Sequence, residues 1–157
     1  VNAAAADAVR SLAAAGLTVA TAESLTGGLV CAVLTSVPGS SAVVRGGVVV
    51  YATELKASLA GVPDDLLDRL GPVGAEVAAA MARGVRSRLG ADVGVATTGV
   101  AGPDGQDGHP PGTVHVAVAS PAGTTLRSYA GDDVLPGGRA EVRDATVRAA
   151  LELLSEL

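Results

Sequence analysis

Between Ala42 and Tyr51 the chain reads Ala-Val-Val-Arg-Gly-Gly-Val-Val-Val-Tyr, almost unbroken valine interrupted only by Arg45 and the Gly46-Gly47 pair. A short apolar run of β-branched residues, without polar alternation, reads as a strand buried on both faces, and such strands need helices above and below them. Val93 to Thr97 is a second run of this kind, and Leu17 to Ala22 reads as a third strand. Helical segments fall between them. Residues 2–15 are alanine-rich with Val9 and Leu12 on one side and are closed by Gly16; residues 27–36 stop at Val37-Pro38-Gly39. Short helices are expected from Thr53 to about Leu59 and over 64–70, the latter ended by Gly71-Pro72. Residues 75–89 form a stronger one, with Val77, Met81 and Val85 on the buried side. Residues 113–120 and 124–130 read as a hairpin across Pro121-Ala122-Gly123, and an amphipathic helix runs from Arg139 to the end. The order predicts an α/β fold: a three-layer α/β/α sandwich with a mixed, mostly parallel sheet of about five strands, in one domain over residues 1–157.

Lys56 is the only lysine beside ten arginines. An arginine cannot lose its proton in a protein, whereas a desolvated lysine amine can act as a base. With Thr53 as N-cap, Lys56 falls at the third position of its short helix, where the dipole disfavours a cation. Working as a base near neutrality requires a fall of about 3 pH units from ~10.4, or about 4 kcal/mol, and burial is the effect large enough to supply most of it.

Composition removes several function classes. A net charge of −5 with no tryptophan or phenylalanine lacks the basic stripe and stacking aromatics of a nucleic-acid binder. No apolar run reaches the ~18 residues of a membrane span, and no cleavable leader is visible at the start. The single cysteine, Cys31, excludes an internal disulfide and fits a cytoplasmic location, with core filling as its expected role. His109 and His115 are isolated, Asp104 and Asp107 lack calcium-loop spacing, and Asp64, Asp65 and Asp68 suit a helix start, so no metal is expected.

Three glycine-flanked polar segments follow or join strands. Residues 21–28 pass from strand to helix, where the amides around Ser24, Thr26, Gly27 and Gly28 suit an anion. Residues 38–41 precede the valine strand. Residues 97–103, including Thr98 and Gly99, close another strand, the end at which ligands of α/β sheets gather. The thirteen residues 99–111 carry four glycines and three prolines and read as a lid beside the site.

The motifs Ala22-Glu23-Ser24-x-Thr26-Gly27-Gly28, Gly39-Ser40-Ser41, Gly46-Gly47 leading into Tyr51-x-x-x-x-Lys56, Thr98-Gly99-x-Ala101-Gly102-Pro103 and Pro111-Gly112-Thr113-Val114 resemble the CinA C-terminal domain. That family includes nicotinamide mononucleotide (NMN) deamidases, and the resemblance covers essentially the whole chain in its stand-alone form. It implies an amidohydrolase that converts NMN and water to nicotinic acid mononucleotide and ammonia without metal or cofactor, on a small-molecule nucleotide substrate, as a homo-oligomer of at least two chains. It further implies Ser41 as nucleophile, Lys56 as its base and Tyr51 as proton relay, with Ser24 and Thr98 in support and Arg139 or Arg143 near the substrate phosphate. Leu25 stands where the family often has cysteine, and the enlarged stretch 104–111 is expected to bear on substrate choice. The rival readings are an amidase for another small amide and a nucleotide-binding or interaction domain that holds ligand at 24–28 without turnover. A tyrosine–lysine dehydrogenase is set aside, because its pair lies four apart on one helix.

Overall fold

The buried strands sort their side chains by size. Val93 and Val95, and Val114, Val116 and Val118, turn to one face, whereas Ala96, Ala117 and Ala119 turn to the other. The period of two along each strand makes this sorting a property of the whole sheet. In the computed structural model, which describes residues 1–157, five strands form one sheet: β1 (Val19–Glu23), β2 (Val44–Val49), β3 (Val93–Gly99), β4 (Val114–Ser120) and β5 (Gly123–Tyr129). Their order is β2-β1-β3-β4-β5. β1 pairs in parallel with β2 and β3, while β4 runs antiparallel to both β3 and β5. Four strands therefore point one way and β4 opposes them, the mixed, mostly parallel α/β sheet expected.

The valine face receives α1 (Asn2–Ala15), α2 (Leu29–Thr35) and α6 (Arg139–Ser155), through a cluster that includes Leu12, Leu34, Leu151 and Leu154. The alanine face receives α5 (Ala75–Arg88), with Val77, Met81 and Val85 fully buried as the helical spacing indicated. Small residues on that face let α5 lie almost on the sheet. At Gly94 a β-carbon would stand 2.0 Å from the Ala82 carbonyl oxygen, so no other residue fits there without moving the helix. The short helices α3 (Thr53–Ser58) and α4 (Asp64–Leu70) join this layer, with Leu67 and the intervening Ala60 and Val62 in the same cluster as α5.

Three local expectations change. The valine run is not a strand buried on both faces: β2 is an edge strand, half-exposed along its length, with Val49 open to solvent. An apolar run reports how much a segment is able to bury, not whether a neighbour strand completes the burial. The second helix starts at Leu29 rather than residue 27, because Gly27 (φ 58°) and Gly28 (φ 104°) take left-handed conformations that a helix cannot continue from. Thr53 is the first helical residue, not the cap; Ala52 occupies the cap position and makes no side-chain bond.

The parallel core decides where chemistry is able to sit. Glu23 at the end of β1 pairs with Val49 at the end of β2 and with Thr97 near the end of β3. The residues after these three strands share one edge of the sheet, where a doubly flanked parallel sheet opens to ligands. The loop after β3 is closed at its base by hydrogen bonds from the Gly112 amide to the Val100 carbonyl and from the Val100 amide to the Thr113 carbonyl, both 2.8 Å. Within it Gln106 and His109 exchange backbone hydrogen bonds at 3.0 and 2.8 Å, making a small turn of its own.

Candidate active site

Ser24 leaves the end of β1 with its amide hydrogen-bonded to the Thr97 carbonyl at 3.0 Å, so its backbone is tied to β3. Lys56 approaches from α3, which follows the end of β2. Its Nζ donates to the Ser24 hydroxyl at 3.0 Å, to the Val50 carbonyl at 2.7 Å and to the Tyr51 carbonyl at 3.4 Å. The residue is 1% exposed and no carboxylate pairs with it. Burial pushes its pKa down to about 8, against a small upward pull from Glu54. Once it loses its proton, the amine keeps two hydrogens for the two carbonyls and turns its lone pair to the serine hydroxyl, which then donates instead of accepting.

This burial has a thermodynamic signature. Between pH about 8 and 10.5 the folded chain has released a proton that the unfolded chain still holds. Stability therefore rises with pH across that window. The fall from 10.5 to about 8 corresponds to about 3 kcal/mol. Urea unfolding of wild type and Lys56→Met should show the difference between them shifting by about that amount in favour of wild type as pH goes from 8 to 10.5. A pH-independent difference would place the ammonium in water.

Ser24, Lys56, Thr98 and Gly99 line a cleft of about 270 Å³, together with Tyr51 and Arg139 at its mouth. Tyr51 is 61% exposed; its hydroxyl accepts from Arg139 Nη2 at 3.2 Å and makes no bond to Lys56 or Ser24. The contact between Tyr51 and Lys56 runs through the tyrosine carbonyl instead. Arg139 also donates Nη1 to the Gly102 carbonyl at 2.8 Å, which fixes the guanidinium against the 99–111 loop. That loop forms one wall through Val100, Gly102, Asp104 and Gln106, on the Lys56 side of the sheet and away from Ser41. Arg143 lies lower, donating Nε to the Leu25 carbonyl at 2.9 Å, and braces the serine loop without lining the cleft.

Four sequence expectations fail at this site. Ser41 is exposed in the 3₁₀ turn Ser40–Ala42 just before β2, whereas Lys56 comes after β2. A six-residue strand carries the chain roughly 20 Å, so the two lie at opposite edges of the sheet. The serine beside the lysine is Ser24. Thr26, Gly27 and Gly28 also do not line the cleft. Thr26 is fully buried, and the amides of Gly28, Val30 and Cys31 are occupied by the carboxylate of Glu23, at 3.2, 2.9 and 3.0 Å. The anion expected at that helix start is supplied by the chain itself.

Sequence reasoning gave Thr53 and Pro72 only helix-boundary roles, whereas both line the cleft, and it gave Glu23 no role, whereas it anchors the serine loop. The signal for Glu23 was available: an acid at the end of an apolar strand, directly before a glycine-rich helix start. Pro72 accepts the Thr98 hydroxyl on its carbonyl at 2.6 Å, so Thr98 serves the wall of the cleft and not an open hydrogen-bonding position. His115 is buried on β4 with Nδ1 2.8 Å from the Ser128 hydroxyl, and desolvation lowers its pKa. It is a packed strand residue outside the cleft.

The same fold recurs among solved structures. The competence/damage inducible protein CihA from Agrobacterium tumefaciens superposes with a TM-score of 0.89 at 40% identity, covering 98% of this chain and 92% of that one. A CinA superfamily protein from Escherichia coli superposes with a TM-score of 0.91 at 32% identity, covering 98% and 88%. Among curated relatives, a CinA-like protein of Frankia casuarinae is 54% identical over 140 residues, 89% of this chain and 31% of its own length. A CinA-like protein of Geobacter sulfurreducens is 49% identical over 140 residues, 88% and 33%. The chain thus spans about a third of the curated relatives it matches. The profile of the CinA C-terminal domain matches residues 1–157, and the chain belongs to the CinA C-terminal domain family.

Proposed function

We propose that this domain is an amidohydrolase that deamidates NMN to nicotinic acid mononucleotide, with Ser24 as nucleophile and Lys56 as its base. The observation that carries the reading is the buried, unpaired Lys56 amine 3.0 Å from the Ser24 hydroxyl, with its pKa brought down to about 8. A serine hydroxyl is a weak nucleophile until an adjacent base removes its proton. A binding module has no use for a neutral amine held at that distance.

In the proposed reaction Ser24 Oγ bonds to the carboxamide carbon while its proton passes to Lys56 Nζ. The developing oxyanion meets the Leu25 amide, which donates to no group of the chain. Collapse breaks the C–N bond, and the Lys56 ammonium returns the proton to the departing nitrogen, releasing ammonia. Water then attacks the acyl-serine with Lys56 again as base, giving the carboxylate product and free Ser24. The cage of Val50 and Tyr51 carbonyls keeps Nζ in place through both half-reactions. Arg139 and Lys56 are the cations of a cleft in an otherwise acidic chain, and with Lys56 engaged at the hydroxyl, Arg139 is left for the phosphate.

Ammonia release from NMN, measured against nicotinamide, NAD and glutamine at matched concentrations, tests the substrate. NMN should be preferred, and Arg139→Ala should raise KM for NMN roughly 10- to 100-fold while kcat changes little, the loss of one charged hydrogen-bond partner. Equal rates on NMN and nicotinamide would remove the nucleotide from the reading; preference for glutamine would replace the substrate altogether.

A further inference from the structure

Glu23 is 1% exposed, carries no cation partner, and is not used by the reaction just described. A buried carboxylate in that condition survives only if donors replace its water. Here five donors converge. Oε1 accepts from the Thr26 hydroxyl at 2.6 Å and from the amides of Gly28 and Val30 at 3.2 and 2.9 Å. Oε2 accepts from the Cys31 amide at 3.0 Å and from the Thr21 hydroxyl at 3.4 Å. The Thr26 hydroxyl also meets the Thr97 hydroxyl at 2.8 Å, on the strand whose carbonyl holds the Ser24 amide.

These bonds enclose the segment between Glu23 and Leu29. One end is the chain bond from Glu23 to Ser24; the other is the first turn of α2, gripped by the same carboxylate. Gly27 and Gly28 give the loop the left-handed backbone it needs to fold back, and Arg143 holds the Leu25 carbonyl from outside. Without the carboxylate, three helix-start amides and two buried hydroxyls lose this acceptor. The loop then has to move to reach water.

We infer that Glu23 is the positioning residue of the site: its carboxylate pins the residue 24–28 loop to the start of α2, and this holds the Ser24 hydroxyl within hydrogen-bond distance of Lys56. The inference rests on Ser24 being the nucleophile only for its effect on rate; the geometric claim stands by itself. Glu23 also occupies the amides at the start of α2, which leaves Arg139 in the cleft for the substrate phosphate.

Glu23→Gln is the informative change, since it keeps the shape and turns one acceptor oxygen into a donor. The less disruptive orientation sets the new NH₂ against the Cys31 amide, donor facing donor. Two measurements decide the matter. In crystal structures of wild type and Glu23→Gln, the hydrogen bond between Ser24 Oγ and Lys56 Nζ should be present in the first and broken in the second; an unbroken bond in the variant overturns the inference whatever the enzyme does. Labelling of Ser24 by a fluorophosphonate, followed by mass spectrometry from pH 6 to 10, should slow about 100-fold in the variant, the cost of misplacing a reacting group by about 1 Å. The pH limb set by Lys56 should stay where it is, because Glu23 is not among the charges that shift that amine. Met81→Ala, a core truncation in the cluster on the opposite face of the sheet from Leu25 and Val30, should lower Tm without slowing labelling, which separates positioning from mere loss of stability. If Glu23→Gln fails to fold, Thr26→Val removes one donor to Oε1 and should act in the same direction about 10-fold. Labelling within two-fold of wild type in the folded variant overturns the inference. Wild-type protein that is not labelled at Ser24 removes the proposed nucleophile, and the crystallographic distance still decides the role of Glu23.

Discussion

Ser24→Ala is expected to lower kcat for NMN by roughly 10⁴-fold or more, while Ser41→Ala stays within about two-fold of wild type. The size follows from what is removed. Without Oγ there is no acyl-serine, and what remains is the help that the cleft gives to direct attack by water. Folding should survive, because Ser24 Oγ makes one hydrogen bond, to Lys56, and its amide bond to Thr97 is independent of the side chain. The check is single-turnover ammonia release with circular dichroism on each variant. Residual activity of Ser24→Ala above a few per cent would mean that water, not serine, is the nucleophile and that Lys56 activates it directly. A comparable loss in Ser41→Ala would require the turn before β2 to act from the far edge of the sheet.

The second large effect concerns the base. Lys56→Arg is expected to be as inactive as Lys56→Met, each down about 10³-fold or more in kcat, because arginine keeps the charge but cannot accept the serine proton. Arginine is also bulkier than the lysine it replaces at a position only 1% exposed, so the carbonyl cage around Nζ has to give way. The wild-type rate should rise with pH along a limb centred near 8, where burial leaves the amine half-protonated. The sign is fixed: protonated Lys56 is inactive as a base, so activity falls as pH drops below that value. Initial rates of both variants and a wild-type pH profile from 6 to 10 check this. A folded, substantially active Lys56→Arg would reduce the lysine to an electrostatic contact.

Much of the fold was legible in the residues, for reasons that also explain the failures. Helix and strand order follow from local periodicity, and residues such as Val77, Met81 and Val85 declared their burial by spacing alone. Lys56 was singled out by a chemical contrast with ten arginines, which needs no coordinates. The partner of Lys56 was not local. Ser41 is the nearer serine along the chain, but a strand intervenes and moves the chain across the sheet. Ser24, 32 residues earlier, meets Lys56 because parallel strands bring their carboxyl ends together. Once β1 and β2 are taken as parallel neighbours, residues after both strands become candidates and residues before them do not. Glu23 was overlooked for a different reason: its place at the end of an apolar strand was a signal, but the amides that receive its carboxylate belong to residues 28–31, which come round to it only once the loop is folded. The edge position of β2 was hidden as well, since valine composition is the same for a central strand and a half-covered one.

Tyr51 gives the protein a property that its chemistry does not require. The chain has no tryptophan and only two tyrosines, and the other, Tyr129, lies half-covered on β5. Ultraviolet emission from this domain therefore comes from two phenols. One of them stands at the mouth of the cleft with its hydroxyl against Arg139, the cation proposed for the substrate phosphate. A ligand that draws the guanidinium away alters the surroundings of that phenol, while the phenol on β5 supplies a steady background. Ligand binding in the cleft should therefore change the tyrosine emission of the domain, a readout that needs no dye, tag or coupled reaction.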